Sequence, residues 1–93
     1  MVRINFPARV SSNFVRIPKK IFNEFRDVFE KLNKQEIEII LTTMDSKTSH
    51  RTKAIIYLYK VKNETFARMY IKTRGLPKKF KENSCIISFE ITS

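Results

Sequence analysis

The chain has 93 residues, 42% of them hydrophobic, and a formal net charge of +10. This length suits a single domain spanning 1–93, and the apolar content excludes a disordered chain. The lone cysteine excludes an internal disulfide, and the lack of an apolar run of about 18 residues excludes a membrane-spanning segment. With no secretory signal visible, we expect a cytoplasmic, nucleoid-associated protein, or a nuclear one in a eukaryote, with no membrane partner.

The first third of the chain predicts two short strands followed by one helix. Residues 1–6 alternate between apolar and polar side chains, as a strand does, and Pro7 is expected to end that strand. The Ser-Ser-Asn segment at 11–13 is expected to form a tight turn, because Ser and Asn satisfy their own local backbone. Apolar residues then recur at three- and four-residue spacing, which predicts an amphipathic helix over about 19–32.

The rest of the chain is predicted to be mainly β. Strands are expected at 36–43, 54–61, 65–73 and 84–92, separated by a polar loop at 44–53, a hairpin turn at 62–64 and a second short helix near 77–83. Because short connections favour antiparallel pairing, the sequence predicts an α+β, mainly β fold. This fold is a small antiparallel pseudobarrel of six or seven strands with the amphipathic helix across one opening. The expected core consists of Ile21, Phe25, Val28, Phe29, Ile39, Leu41, Ile55, Ile71, Ile87 and Phe89.

The charges of the chain are segregated along the sequence. The segments 1–23 and 65–81 contain basic residues and no acid, whereas most of the acids lie between 24 and 45. Solubility alone does not require the two signs to separate. The pattern therefore predicts one strongly basic surface, which is the electrostatic footprint of a protein that binds a polyanion.

A lysine pair follows a proline at two places, in IPKK (17–20) and in LPKK (76–79). A helix start carries positive partial charge, so a lysine pair there lowers helix stability unless an anion binds. We therefore expect a phosphate-binding corner at the first pair. Each segment is followed by a β run ending in Thr, which suggests an internal repeat of a strand–turn–helix–strand unit.

The stretch RVSSNFVRIPKKIFNEF (9–25) resembles the strand–turn–strand–proline–helix unit of the AbrB-type swapped-hairpin transcription factors. The chain keeps Val15, Ile17, Pro18 and Lys19 of that unit. A Ser-Ser-Asn turn stands where a glycine turn is usual, and the predicted helix is longer than that family needs.

A larger part of the chain resembles the plant-type B-three DNA-binding pseudobarrel. The resemblance covers the IPKK helix start, the strands within 36–73 and the final FKENSCIISFEI (80–91), although the chain lacks the Trp of the plant domains. It implies a DNA-binding pseudobarrel that grips the major groove with two loop arms. One arm would comprise Arg9, Ser11, Ser12, Asn13 and Arg16, and the other Lys60, Lys62 and Asn63. In these arms Arg and Asn would read base edges. Phosphates would be held by Lys19, Lys20, Lys78 and Lys79.

Catalytic chemistry has little support in the sequence. The single histidine, His50, lies in a polar segment, and Cys85 lies in an apolar strand where a small core residue is expected. Glu36 and Glu38 share a strand face, but acids on exposed strands are ordinarily solvated. No His or Cys spacing suits a metal, and no glycine-rich phosphate loop is present. We expect no enzyme activity and no cofactor.

Four aromatic residues in the predicted strands leave a second interpretation open. Tyr57 and Tyr59 share one strand face, and Phe66 and Tyr70 share another. They either pack against the 19–32 helix, which is the favoured interpretation, or form a base-stacking platform for RNA. The sequence thus predicts a transcriptional regulator that binds double-stranded DNA as a monomer or homodimer. The alternatives are an RNA- or ribosome-associated basic protein and an inhibitor module that binds an acidic protein partner.

Overall fold

A computed structural model describes residues 1–10 and 12–92 of the chain. Its strands are β1 (Val2–Arg9), β2 (Phe14–Arg16), β3 (Glu36–Thr43), β4 (Ser49–Val61), β5 (Glu64–Ile71) and β6 (Ser84–Ile91). Its helices are α1 (Lys19–Glu24), α2 (Arg26–Leu32) and α3 (Lys78–Glu82).

The six strands form one antiparallel sheet in the order β1-β6-β3-β4-β5-β2, curled into a half-barrel with β1 and β2 at its edges. The inner face of the sheet is covered by the helices, whose buried phenylalanines share one core with the strands. The outer face carries the alternate residues of each strand. The predicted mainly β, barrel-like α+β fold is therefore confirmed.

The buried core agrees with most of the expected list. Phe29, Ile39, Leu41, Ile71, Ile87 and Phe89 are buried as expected, whereas Ile21, Phe25 and Val28 are only partly buried against the core. The expectation for Ile55 is wrong, because Ala54 and Ile56 point inward and place it on the outer face. In a run as apolar as 54–61, the composition does not reveal which alternate set points inward.

The predicted helix over 19–32 is divided in two. Phe25 leaves helical geometry, with φ −118° and ψ 33°, and separates α1, which contacts β5, from α2, which contacts β4. The break allows the two helical segments to pack against different strands of the sheet. The rings of Phe22 and Phe29 meet across the break at a centroid distance of 5.8 Å.

Three predicted boundaries are corrected. Pro7 does not end β1, because β1 is an edge strand that pairs only with β6, where a missing N–H is tolerated. The second half of the loop predicted at 44–53 belongs to a strand, because β4 begins at Ser49 and pairs with β3. The turn predicted at 62–64 is a two-residue turn with positive φ at Lys62 (50°) and Asn63 (68°), the geometry that suits a tight antiparallel hairpin.

The two Pro-Lys-Lys segments have corresponding places in the fold. Pro18 precedes α1 with φ −54° and ψ 137°, and Pro77 precedes α3 with φ −56° and ψ 144°. The strands after these helical segments, β3 and β6, pair with each other, and they are flanked by β4 and β1. This arrangement supports the suggested internal repeat. None of the helices in the described ranges has the length and apolar character needed to cross a membrane.

Candidate functional site

Aromatic side chains cover the outer face of β2, β5 and β4. The strand register sets Phe14 opposite Tyr70, Tyr70 opposite Ile55, and Phe66 opposite Tyr59. Facing residues of an antiparallel pair project from the same side of a sheet, so these side chains form one continuous surface. We call this surface the aromatic face; it consists of Phe14, Ile55, Tyr57, Tyr59, Phe66, Arg68 and Tyr70.

The aromatic face lies on the side of the sheet away from the helices. Ile56 and Met69 are fully buried beneath it, whereas Phe14 is 45% exposed and the three tyrosines are partly exposed. The favoured expectation that these aromatics pack against the 19–32 helix is therefore wrong. Alternation along β4 and β5 sends the aliphatic residues inward and the aromatic residues outward.

The rings of the aromatic face form two pairs with an arginine between them. Phe14 and Tyr70 lie 5.2 Å apart and tilted by 59°, and Tyr59 and Phe66 stack at 5.7 Å and 28°. The guanidinium of Arg68 lies 4.8 Å from the ring centroid of Phe14 and 5.2 Å from that of Tyr59. These are cation–π distances, so the guanidinium of Arg68 contacts one ring of each pair while the residue stays exposed.

Two open depressions mark the aromatic face. The first has a volume of about 280 Å³ and is lined by Phe14, Ile55, Tyr57, Arg68 and Tyr70. The second, of about 170 Å³, is lined by Arg16, Tyr59, Val61 and Phe66. Both are lined by apolar or aromatic surface with an arginine at the side, a combination that suits a planar ring with an anionic substituent.

Lysines lie at both borders of the aromatic face, and each of them is near a carboxylate. Nζ of Lys19 lies 5.7 Å from the ring centroid of Phe66 and contacts the carboxylate of Glu64. At the opposite border, Lys72 donates a 2.5 Å hydrogen bond to Glu36, and Nζ of Lys53 lies 3.5 Å from the other carboxylate oxygen. That hydrogen bond and the two lysine charges lower the pKa of Glu36 below its ordinary value.

Two residues of the first predicted loop arm form hydrogen bonds within the protein. Oδ1 of Asn13 accepts a 3.1 Å hydrogen bond from Thr73, and its backbone carbonyl accepts one from the Ile71 N–H at 2.7 Å. The hydroxyl of Ser12 donates to the carbonyl of Phe14 at 2.9 Å. Arg9 lies at the end of β1, and the predicted Ser11 lies outside the described residues.

The second predicted arm lies at the other end of β5. Lys60, Lys62 and Asn63 are exposed at the β4–β5 hairpin, near Glu64, whereas Asn13 joins the sheet at Ile71. Seven residues of extended strand separate the two ends by about 23 Å. Arg16, which also belongs to the first arm, is the register partner of Arg68 partway along β5, so the first arm extends from Ile71 towards the hairpin that carries the second.

The two lysine pairs are also separated. Lys19 and Lys20 begin α1 beside β5, whereas Lys78 and Lys79 begin α3 beside β3 and β6, and Lys78 forms an ion pair with Glu82 at 3.4 Å. The first pair is partly explained without an external anion. Helix α1 has only six residues, and Glu64 supplies the negative charge that its first turn lacks.

Two members of the aromatic face, Phe14 and Arg68, were not singled out from the sequence. For Arg68 the signal is the two-residue spacing of rings and charge in 66–70, which the turn at 62–63 aligns with the rings at 57 and 59; Phe14 joins them only through the pairing of β2 with β5. The groups considered for catalysis lie elsewhere. Cys85 is buried, and burial raises the pKa of its thiol. Within the described residues, no three His, Cys, Asp or Glu side chains converge as metal ligands.

No family model, curated protein or solved structure matches the chain. The resemblances to the B-three and AbrB-type domains therefore stay predictions. The aromatic face combines two ring pairs with the guanidinium of Arg68 on the outer side of the sheet.

Proposed function

We propose that the chain binds single-stranded nucleic acid on the aromatic face. The observation that carries this proposal is an open sheet surface on which two ring pairs are interleaved with arginines. The first expectation from the sequence was duplex DNA. The present proposal instead develops the RNA-binding alternative, which used the aromatic residues of the sheet.

Stacking supplies the attraction for the bases. A base stacked on an aromatic side chain contributes about 1–3 kcal/mol, with little dependence on sequence because every base has a π-face. The bases of a duplex are stacked on each other and paired, so a sheet surface reaches their faces only in a single strand. The three tyrosines of the chain all belong to the aromatic face, and their hydroxyls add donors and acceptors at its surface.

The positive charges at the aromatic face favour a polyanion over an apolar partner. No carboxylate belongs to the aromatic face, and Arg16, Arg68 and Lys19 lie on it or at its border. An apolar protein partner would leave these charges desolvated, at a cost that buried ions incur. A nucleic acid offers both the planar rings and the phosphates that the surface complements.

Fluorescence anisotropy with labelled twelve-nucleotide strands at low salt tests the proposal, with single-stranded RNA, single-stranded DNA and duplex DNA measured in parallel. Tyr59→Ala should weaken single-strand binding about fivefold to a hundredfold. The matched control is Ile86→Ala, which removes a partly buried side chain from the outer face of β6 and should leave binding unchanged.

Two results would contradict the proposal. The first is an absence of single-strand binding at low salt by the folded protein. The second is sedimentation of the free protein as a dimer that Tyr59→Ala dissociates, because the aromatic face would then be an interface between copies of the chain.

Duplex DNA is a second proposal, supported by one cluster of basic residues. The contact of Lys19 with Glu64 holds the start of α1 beside the hairpin that exposes Lys62 and Asn63. Each phosphate bound would contribute about −0.9 to the slope of log affinity against log salt concentration. Lys62→Gln should reduce the duplex slope by about one, and Tyr59→Ala should leave duplex affinity unchanged. A duplex affinity that Lys62→Gln does not alter contradicts this second proposal.

A further inference from the structure

Two arginines stand directly opposite each other where the aromatic face meets the edge strand β2. Arg16 on β2 is the register partner of Arg68 on β5. Like charges in facing positions of an antiparallel pair destabilise the sheet. Among the residues that the structure describes, no carboxylate forms an ion pair with either arginine. An anion bound between the two guanidinium groups would remove this repulsion.

The two depressions lie on either side of this arginine pair. Arg68 lines the first depression together with Tyr57, and Arg16 lines the second together with Tyr59. The two tyrosines are two residues apart on β4, so their Cα atoms are separated by about 6.7 Å. Stacked bases of one strand are separated by about 3.4 Å along the helix axis. Two neighbouring bases therefore occupy both depressions only when they are unstacked from each other.

We propose that Arg16 and Arg68 bind the phosphodiester that joins two consecutive nucleotides, whose bases occupy the two depressions. This inference rests on the proposed function and adds to it a fixed two-nucleotide register. The guanidinium carbon of Arg68 lies within cation–π distance of the rings of Phe14 and Tyr59, and its N–H groups are the donors that would bind a phosphate oxygen.

A set of six-nucleotide DNA strands that carry bases at only two positions tests the register. The remaining four positions are abasic, so the two thymines alone determine where the strand binds. One strand has adjacent thymines, a second has an abasic position between them, and a third has adjacent thymines joined by an uncharged methylphosphonate. Binding is measured by anisotropy at low salt, and the chemical shifts of the β4 and β5 amides report where each strand lies.

The strand with adjacent thymines and a normal linkage should bind most tightly. Replacing its central phosphate by methylphosphonate should weaken binding about tenfold, as expected for the loss of charge-assisted hydrogen bonds. In Arg16→Gln and Arg68→Gln, the two linkages should bind equally. Arg3→Gln is the matched control, because it removes one positive charge from the outer face of β1 and should preserve the tenfold difference.

The outcomes separate this inference from the proposed function. If the methylphosphonate strand binds wild-type protein as tightly as the normal strand, while Tyr59→Ala still weakens binding of a twelve-nucleotide strand, the register is wrong and the function stands. Equal losses in Arg3→Gln and Arg16→Gln would also overturn the register, because they indicate only a general charge effect. If no single strand of any length binds, the proposed function itself fails.

Discussion

On the β1–β6–β3 half of the outer face, charged residues stand near charges of the opposite sign, whereas on the β2–β5–β4 half two arginines face each other. In the first half Arg3 is the register partner of Glu90, and Oε1 of Glu38 on β3 lies 3.0 Å from Nη1 of Arg51 on the adjoining strand β4. In the second half the facing pair is Arg16 and Arg68, surrounded by rings. The charges of the first half are balanced, whereas the second half places an arginine pair beside exposed rings, and the proposed binding rests on that pair and those rings.

The largest expected effect on stability comes from a change in the core, which lies beneath both halves of the sheet. Phe29 belongs to α2 and is fully buried in the core. Phe29→Ala should therefore lower the free energy of unfolding by about 3–5 kcal/mol. Phe25→Ala should cost less, because Phe25 is only partly buried at the break between α1 and α2. Urea unfolding of the two variants measures both losses. Equal losses would contradict the partial burial of Phe25.

A smaller effect distinguishes the two halves directly. Arg68→Gln removes the repulsion from Arg16, so the free energy of unfolding should stay the same or rise, within about 1 kcal/mol. Arg51→Gln removes the ion pair with Glu38 and should lower the free energy of unfolding by a few tenths of a kcal/mol. Urea midpoints of the free protein test the signs. A clear loss of stability in Arg68→Gln would mean that its contacts with Phe14 and Tyr59 outweigh the repulsion.

The smallest expected effect lies on the boundary between the halves, at Glu36. Its pKa in the folded protein is below the ordinary value of 4.5, because of the Lys72 hydrogen bond and the charges of Lys72 and Lys53. A lowered folded-state pKa stabilises the fold above the unfolded-state pKa, and that contribution is lost as the pH falls through the folded-state value. Wild type should therefore be slightly more stable than Glu36→Gln at pH 7, and the difference should disappear as the pH falls through the lowered folded-state pKa of Glu36.

NMR titration of the Glu36 carboxyl group checks this directly. A midpoint at or above 4.5 would contradict the pairing with the two lysines.

The sequence predicted the elements well because each has a local signal. Strand alternation in 36–43 and the apolar spacing around Phe29 depend on neighbouring residues alone, and the structure confirms both. The helix break at Phe25 was not predictable in this way, because the two helical segments pack against β5 and β4, strands that lie far along the chain. The same holds for Pro7, whose tolerance depends on β1 being an edge strand.

The candidate site was harder to predict from the sequence than the helices and strands were. The run 54–61 is so apolar that either alternate set could have pointed inward, and the choice is made by packing with β3 and β5. The pairing of Arg16 with Arg68 joins residues that are far apart in sequence, so no local pattern reports it. Once the two-residue turn at 62–63 is known, the alignment of rings on β4 with those on β5 follows from the register.

Intrinsic tyrosine fluorescence tests the central claim most directly. The chain has three tyrosines and no tryptophan, and all three tyrosines belong to the aromatic face, so the emission reports on that surface alone. Titration with an unlabelled single strand at low salt, corrected for nucleotide absorption, should give saturable quenching that Arg3→Gln preserves and Arg68→Gln weakens. Unchanged emission in the presence of the single strand, or equal quenching by duplex DNA, would contradict binding of single-stranded nucleic acid on the aromatic face.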